Sequence, residues 1–267
     1  MIVKKYNRSV ILILLMLLMI LMLSMLLQVG GSTVVHAQVV GGGSSPLKLG
    51  IGGGFIVTTN IRRDNNLDGN SSKYVTNWLP MASFSWGRLT VRGPALFLSL
   101  WQEWWMGLSL KLSVMGHDYR AEGMFRRKYS YCMGSELRLI FLRLSFQQDI
   151  QNYSNGRQYA INLGHHWNVV DGLMLNLGAQ VEYYEKKYVD YYFGVRSEEA
   201  RVDRPQYLGR GSWNYGPSTG LIWRLGKGTN ISLNYRYRLY GRAITESPTV
   251  RTNKEHSYSL FMSTEII

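Results

Sequence analysis

The stretch Gly172–Val195 alternates between apolar and polar or small residues with a period of two. The apolar positions are Leu173, Leu175, Leu177, Ala179, Val181 and Tyr183, and the positions between them include Asn176, Gly178, Gln180 and Glu182. Because successive side chains of a strand point to opposite faces, the pattern predicts a β-strand with one apolar face. The alternation does not say whether that face packs in a protein core or points into lipid.

Similar alternation recurs along most of the chain and predicts eleven strands. They are Leu47–Thr59, Tyr74–Trp86, Leu89–Leu100, Trp104–Met115, Tyr129–Ile140, Leu142–Gln148, Arg157–Val169, the stretch beginning at Gly172, Ser212–Leu225, Asn230–Tyr240 and His256–Ile266. Turn residues such as Asn155-Gly156 and Asp171-Gly172 open hairpins. Before Leu142 the apolar phase changes within a continuous run, which predicts a tight turn. Short and long connections tend to alternate, and no helix of normal length is required.

Three features favour lipid over a protein core as the environment of the apolar faces. Soluble β-sandwiches also alternate, so alternation alone leaves the question open. The predicted strands match the ~9–11 residues that cross a bilayer at a tilt. Aromatic residues such as Trp78, Trp86 and Trp213 lie near strand ends, as in an interfacial girdle, and short turns alternate with long loops.

These features predict an all-β fold, an antiparallel transmembrane β-barrel. Single-chain bacterial barrels have an even number of strands, so eleven candidates imply one missed or one spurious strand. At roughly 20 residues per strand and connection, the chain accommodates 10–12 strands, with twelve favoured.

The N-terminus has the pattern of a secretory signal peptide. Lys4, Lys5 and Arg8 precede an apolar run from Val10 to Leu27, and small residues surround Val35-His36-Ala37. We predict cleavage after Ala37, which leaves residues 38–267 as the barrel domain. The alternative is an uncleaved signal anchor, because the run is long enough to span a membrane.

The chain is basic, with a net charge of +13 that falls to +10 when the three cations of residues 1–37 are removed. Export removes nucleic acid as a partner, and the charges are dispersed rather than clustered. Loop cations are solvated or face the anionic lipopolysaccharide leaflet, so outer-membrane lipid and lipopolysaccharide are predicted partners. Predicted lumen-facing charges are Glu136, Arg138, Glu182, Arg224, Arg236 and Arg238. They form either an ion-pair network that fills the barrel or the lining of an anion-leaning pore.

Candidate catalytic and metal-binding residues are few. The neighbours His165-His166 point to opposite faces of a strand, which is poor geometry for a shared metal. A lipase-like site would need Ser257 or Ser259 with His256 as base, but strand composition explains this proximity equally well. The single cysteine, Cys132, rules out an intramolecular disulfide and is interpreted as an inert lumen residue. We therefore predict a non-enzymatic protein without metal or cofactor.

Short motifs in the C-terminal half resemble the MltA-interacting protein family, also called MipA/OmpV. They are Tyr188-x-x-Tyr191-Tyr192-Phe193-Gly194-Val195, the pair Glu199-Ala200 with Tyr207, and Ser247-Pro248-Thr249-Val250. The resemblance implies an outer-membrane barrel of a Gram-negative bacterium. It further implies a scaffold that brings a murein lytic transglycosylase together with a penicillin-binding protein during cell-wall organisation. The alternative is a small-solute porin with a basic lumen, since other members are described as porin-like.

Overall fold

The computed structural model of the protein describes residues 47–63, 72–226 and 228–266, so the predicted signal peptide lies outside the described residues. Twelve antiparallel strands form a closed barrel, in which each strand pairs with its neighbours in sequence and the first pairs with the last. The strands are β1 (Lys48–Thr59), β2 (Tyr74–Trp86), β3 (Leu89–Arg92), β4 (Ala95–Gln102), β5 (Met106–Met115), β6 (Ser130–Leu139), β7 (Leu142–Asp149), β8 (Arg157–Val170), β9 (Leu173–Tyr184), β10 (Ser212–Leu225), β11 (Thr229–Leu239) and β12 (Lys254–Glu265). The predicted fold class is confirmed, including the favoured strand number.

The strand missed in the sequence lies within the predicted strand Leu89–Leu100. The structure divides this segment into β3 and β4, joined by a turn at Gly93-Pro94. Gly93 has φ of +51°, a conformation that a residue with a Cβ rarely adopts. The alternation continues on both sides of the turn, which is why hydrophobic pattern alone did not reveal it. By contrast, the predicted turn before Leu142 is confirmed.

The apolar faces of the strands point outward. In β9, Leu177 and Val181 are exposed on the outer surface, whereas Gln180 and Glu182 between them are buried inside the barrel. In a soluble sandwich the burial would be reversed, with the apolar face covered. The observed pattern is that of a barrel whose outer surface faces lipid and whose interior is polar.

Exposed aromatic side chains form two belts on the outer surface. One belt contains Tyr74, Trp78, Tyr159, Trp213, Tyr215 and Tyr258, and the other contains Trp86, Trp101, Trp105, Phe141, Trp167 and Trp223. On β10 the belts are ten residues apart, from Trp213 to Trp223. Ten residues of a strand tilted by ~40° rise about 25 Å, which matches the apolar band of a membrane barrel.

The connections at the two ends of the barrel differ in length. The turn end carries residues 87–88, 103–105, 140–141, 171–172 and 226–228. The loop end carries residues 60–73, 93–94, 116–129, 150–156, 185–211 and 240–253. Five of the six loop-end connections are long enough to fold over the mouth of the barrel.

The Gly-rich β1 allows a large side chain to lie inside the barrel. Phe261 of β12 lies opposite Gly54 in the β1–β12 pair and is buried. A Cβ added at Gly54 would come within 2.4 Å of the Phe261 ring and 2.1 Å of the Leu260 carbonyl oxygen. Glycine at position 54 therefore permits the close approach of the two strands, since no larger residue fits beside Phe261.

The segment after β9 is helical, contrary to the sequence prediction that no helix was needed. Helix α1 spans Lys186–Phe193, a 3₁₀ turn spans Ser197–Glu199, and the short helix α2 spans Arg242–Thr245. The buried residues of α1 are Tyr188, Val189, Tyr192 and Phe193, which lie on one side of a helix. The period therefore changes from two to that of a helix within the stretch Gly172–Val195. Among the described residues, no helix is long and apolar enough to cross a membrane.

Candidate functional site in the capped barrel interior

Helix α1 lies at the loop end and packs with neighbouring loops into an apolar cluster. The cluster consists of Ile61, Met115, Cys132, Tyr184, Tyr188, Val189, Tyr192, Phe193, Tyr240, Ile244 and Val250. These residues come from β5, β6, β9 and the connections 60–73, 185–211 and 240–253. We call the described parts of the connections 60–73, 116–129, 185–211 and 240–253 the loop cap. Burial of several aromatic rings makes it a packed structure rather than a set of solvated loops.

The carbonyl groups at the C-terminus of α1 are bound by side chains from three other connections. The Tyr192 carbonyl accepts a hydrogen bond from Arg62 at 2.6 Å, and that of Phe193 accepts one from Ser247 Oγ at 2.6 Å. The Gly194 carbonyl accepts one from Arg127 at 3.3 Å. Helix C-terminal carbonyls lack intrahelical partners and favour cations, so these contacts both satisfy them and hold the loops together.

A buried ion pair joins two of the loops in the cap. Arg127 Nη2 lies 2.6 Å from Glu199 Oε2, and Arg127 Nη1 donates to Glu199 Oε1 at 2.9 Å; each side chain is 1% exposed. Burial alone would raise the pKa of Glu199. Hydrogen bonds from Arg127 and from the backbone amides of Arg196 and Phe125 outweigh burial, so the pKa lies below its ordinary value and the carboxylate stays ionised.

The buried guanidinium of Arg62 contacts several aromatic rings within the cap. Its guanidinium lies 4.4 Å from the Tyr119 ring centroid and 4.1 Å from that of Phe193, and it contacts His117 Nε2. Burial lowers the pKa of Arg62 to about 10, so the side chain is still charged at neutral pH. Burial, together with the positive charges of Arg62 and Arg238, lowers the pKa of His117 well below its ordinary value. His117 is therefore neutral.

The motif residues used for the resemblance belong to this cap. Tyr188, Tyr192, Phe193 and Val195 are buried, and Val195 pairs with Tyr207. The remaining motif positions surround them. Tyr191 packs against the apolar cluster, and the Gly194 carbonyl accepts the hydrogen bond from Arg127. Ser247 and Pro248 follow α2 in the middle of the last connection before β12. The residues of these motifs therefore pack together at the mouth of the barrel.

Beneath the cap lies a polar cavity of about 310 Å³. Arg238 pairs there with Glu182 at 2.9 Å and with Glu255 at 3.2 Å, and Arg236 lies 3.7 Å from Glu255. Tyr240 donates to Glu255 at 2.7 Å. Burial of two arginines with two carboxylates produces the ion-pair network that the strand pattern predicted for the interior.

A second cavity of about 150 Å³ lies towards the turn end. It is lined by Arg138 together with Asn176, Asn234 and other polar side chains. Four residues line both cavities and separate them: Arg143, Asn162, Gln180 and Arg236. Arg143 is also 3.5 Å from Glu136. Charged and amide side chains therefore line both parts of the interior, and the four shared residues lie between the two cavities.

Five of the six predicted lumen residues line one of the two cavities, namely Glu136, Arg138, Glu182, Arg236 and Arg238. Arg224 does not. It is exposed near the end of β10, where its Nη2 lies 3.6 Å from the Met174 sulfur. Its position one residue before the end of β10 places it at the rim of the barrel.

Three interior residues were missed by the sequence analysis. Glu255 was assigned to a loop because its strand was predicted to begin at His256, but β12 begins at Lys254. Lys111 and Arg143 were not selected although both alternate with apolar neighbours in their strands. Strict application of the period to every charged residue of the predicted strands would have identified Lys111 and Arg143, whereas Glu255 also required the correct start of β12.

The candidate catalytic serines and His256 lie on opposite faces of β12. Ser257 and Ser259 are buried inside the barrel, whereas His256, which precedes Ser257, and its partner Tyr235 lie on the other face. Tyr235 Oη is 3.0 Å from His256 Nδ1. Among residues 47–63, 72–226 and 228–266, no group of three or more His, Cys, Asp or Glu residues could hold a metal ion.

A closed twelve-stranded barrel with an apolar outer band, two aromatic belts and a polar interior defines the class of outer-membrane β-barrel proteins. The family model described as MltA-interacting protein MipA matches residues 51–265. The chain therefore belongs to this family, and the resemblance noted in the sequence is confirmed.

The relatives are outer-membrane proteins, which supports the same location for this chain. Outer membrane protein Omp26La of Vibrio anguillarum is 28% identical over 137 residues, covering 49% of this chain and 52% of the relative. Outer membrane protein OmpV of Vibrio cholerae is 27% identical over 135 residues, covering 48% and 51%. The chain spans about half the length of the curated relatives it matches.

Solved outer-membrane channels are similar in outline only. The NanC porin has a TM-score of 0.39 and 10% identity, with 81% of this chain and 98% of the porin covered. The COG4313 outer membrane channel from Pseudomonas putida F1 has a TM-score of 0.39 and 9% identity, with 86% and 100% covered. At these TM-scores the likeness carries no argument about function.

Proposed function

We propose that the protein is a non-conducting outer-membrane scaffold for periplasmic enzymes that remodel peptidoglycan, namely a murein lytic transglycosylase and a penicillin-binding protein. The observation that carries the proposal is the loop cap. A pore would need an open mouth, but Tyr192, Phe193 and the Arg127–Glu199 pair are almost completely buried there. The description of the family, which names an interaction with MltA, supports the same choice.

The turn end is the surface that we assign to the periplasmic partner. Short turns of outer-membrane barrels face the periplasm and long loops face outward. Trp104 in the β4–β5 turn is 86% exposed, and the neighbouring Trp105 and Glu103 are also exposed. Exposed tryptophans are frequent energetic centres of protein interfaces, and short turns hold them with little conformational freedom.

A binding measurement tests this assignment. The purified barrel in lipid nanodiscs is immobilised and exposed to a purified lytic transglycosylase in surface plasmon resonance. Trp104→Ala is expected to weaken binding at least tenfold, as for a buried interface tryptophan. Trp213→Ala, which removes an exposed tryptophan from the belt at the loop end, serves as control. No binding by the unmodified barrel, or equal weakening by both variants, would contradict the proposal.

A second candidate function is an anion-leaning channel, and the charge of the interior favours it. Six basic side chains line the two cavities, Arg62, Lys111, Arg138, Arg143, Arg236 and Arg238, against the four carboxylates of Asp118, Glu136, Glu182 and Glu255. An excess of cations favours anion entry. Planar-bilayer recording decides between the two functions: silence supports the scaffold, and steady anion-selective current supports the channel.

A further inference from the structure

The wall of the barrel is interrupted on the loop side of the β3–β4 hairpin. β2 has 13 residues and β3 has four, and the two strands pair only from Ser83 to Trp86 of β2. Among the described residues, none pairs with the β3 side of β2 between Tyr74 and Met81. We call this opening the wall notch. It is bounded by Tyr74–Met81, the turn Gly93-Pro94 and Ser113–Met115 of β5.

The notch lies at membrane depth. Four residues of β3 rise about 13 Å along the strand, roughly half of the ~25 Å apolar band. The outer surface beside the notch is apolar, since Trp78 is 76% exposed and Leu110 and Leu112 are each 43% exposed. A molecule in the notch would therefore meet the bilayer on one side and the barrel interior on the other.

The edge of β2 is unsuited to pairing with a further strand. The Ala82 carbonyl accepts a hydrogen bond from the Gly93 amide, so Ala82 directs its polar backbone groups towards the notch. In an antiparallel strand the backbone N–H and C=O groups of every second residue point to the same side. Trp78 and Pro80 therefore also direct their backbone groups towards the notch. Proline has no N–H, and proline on an exposed edge prevents strand addition. Water or a polar headgroup must satisfy the remaining groups, because lipid chains offer no hydrogen bonds.

The 310 Å³ cavity extends to this notch. Its lining includes Val75 and Asn77 of β2, Pro94 at the hairpin tip, and Val114 of β5. Val114 lies between the inward-facing Ser113 and Met115 and belongs to the outer face of its strand. The β4–β5 pairing ends at Leu112, so Val114 lines the cavity at a part of β5 that has no paired strand on its β4 side.

Beside the notch, the cavity contains a buried lysine without an ion pair in the described part of the chain. Lys111 is 8% exposed and lines the cavity, and its Nζ lies 5.8 Å from the Phe97 ring centroid. Among the described residues, no carboxylate lies within 4 Å of Lys111, because Glu136 pairs with Arg143 instead. The Asn77 side-chain amide nitrogen is also buried without a hydrogen-bond partner among the described residues. A buried cation and a free amide donor together favour an anionic oxygen ligand.

We propose that the wall notch admits a lipid with an anionic phosphate headgroup from the outer membrane. The headgroup enters the cavity and is bound by Lys111 and Asn77, while the acyl chains remain in the bilayer outside β2 and β5. The cavity volume suits a headgroup and is too small for a complete lipid. This lipid site is independent of the proposed scaffold role, since it lies in the wall and not at the turn end.

Quenching by brominated lipid tests whether the wall is open. A fluorophore is attached to Asn77→Cys in a Cys132→Ser background, and the protein is reconstituted in vesicles of lipids brominated on the acyl chains. The control is Ala160→Cys, which lines the same cavity from β8, a strand paired on both sides. At least twofold stronger quenching at position 77 is expected. Equal quenching at the two positions would overturn the open wall.

Native mass spectrometry tests the headgroup site in the unlabelled protein. Phosphatidylglycerol is expected to remain bound in preference to phosphatidylcholine, with about tenfold less retained by Lys111→Met, as for a lost charge-assisted contact. Lys48→Met, at an exposed position on the turn-end rim, is the control. Equal retention by Lys111→Met and the unmodified protein would overturn the site. Inorganic phosphate that binds as tightly as phosphatidylglycerol would assign the site to a soluble anion and overturn the lipid.

Discussion

The two ends of the barrel use the same residue types in opposite ways. At the loop end, Tyr192, Phe193 and Arg127 are buried and hold several connections together. At the turn end, Trp104 and Arg88 are exposed on connections of two or three residues. The comparison shows that the motif residues of the family close the mouth of the barrel. The surface that we propose for a periplasmic partner is at the other end, where the motif provides no residue.

The largest effect is expected from Arg127→Ala. The variant leaves the Glu199 carboxylate buried without its cation, which costs about 3–5 kcal/mol of stability. Urea-induced unfolding in lipid vesicles measures the loss. Arg201→Ala breaks the exposed pair with Asp203 and is expected to cost under ~1 kcal/mol. Similar costs for the two variants would show that the cap is not a packed structure.

A similar but smaller loss is expected from Tyr192→Ala. The ring is 1% exposed and its hydroxyl donates to the Lys128 carbonyl at 3.0 Å. Truncation of a buried aromatic residue costs roughly 3 kcal/mol. If the cap closes the barrel, planar-bilayer recordings of this variant should also show ion current where the unmodified protein is silent. Silence in both would place the block deeper in the interior.

The stability of the cap is expected to fall in mild acid through His117. Its lowered pKa means that the unfolded chain binds a proton below about pH 6.5 while the folded chain does not, so stability is lost as the pH falls. Arg62 and Arg238 face the ring and oppose its protonation. The slope attributable to this group is at most ~1.4 kcal/mol per pH unit. His117→Gln should flatten the decline, and an unchanged decline would assign it to other groups.

Ser247→Ala is expected to cost about 1 kcal/mol, because the Phe193 carbonyl loses one hydrogen bond. Ser197→Ala, at the start of the 3₁₀ turn, is a control whose side chain is exposed. The difference between the urea-unfolding midpoints of the two variants measures the contribution of the Ser247–Phe193 hydrogen bond to stability.

Much of the fold followed from hydrophobic period, but two local features did not. β3 and β4 were predicted as one strand because alternation persists through Gly93-Pro94. Helix α1 was missed because an apolar aromatic run is compatible with either period over eight residues. The resemblance identified the residues of α1 as important without indicating that they form a helix, since a sequence motif records residue types and not the contacts that they make.

The sequence by itself determined most of the strands, the apolar outer band and the family. The strands and the band depend on the local alternation of apolar and polar residues, and the family depends on short sequence motifs. Only the tertiary structure decided that the cap residues meet, that Lys111 is buried beside an open wall, and that Arg224 lies at the rim. These facts depend on contacts between residues distant in the chain, such as Arg62 with Tyr192 and Glu182 with Arg238. The physical reason is that strand register and loop packing set such contacts, and both arise only when the barrel closes.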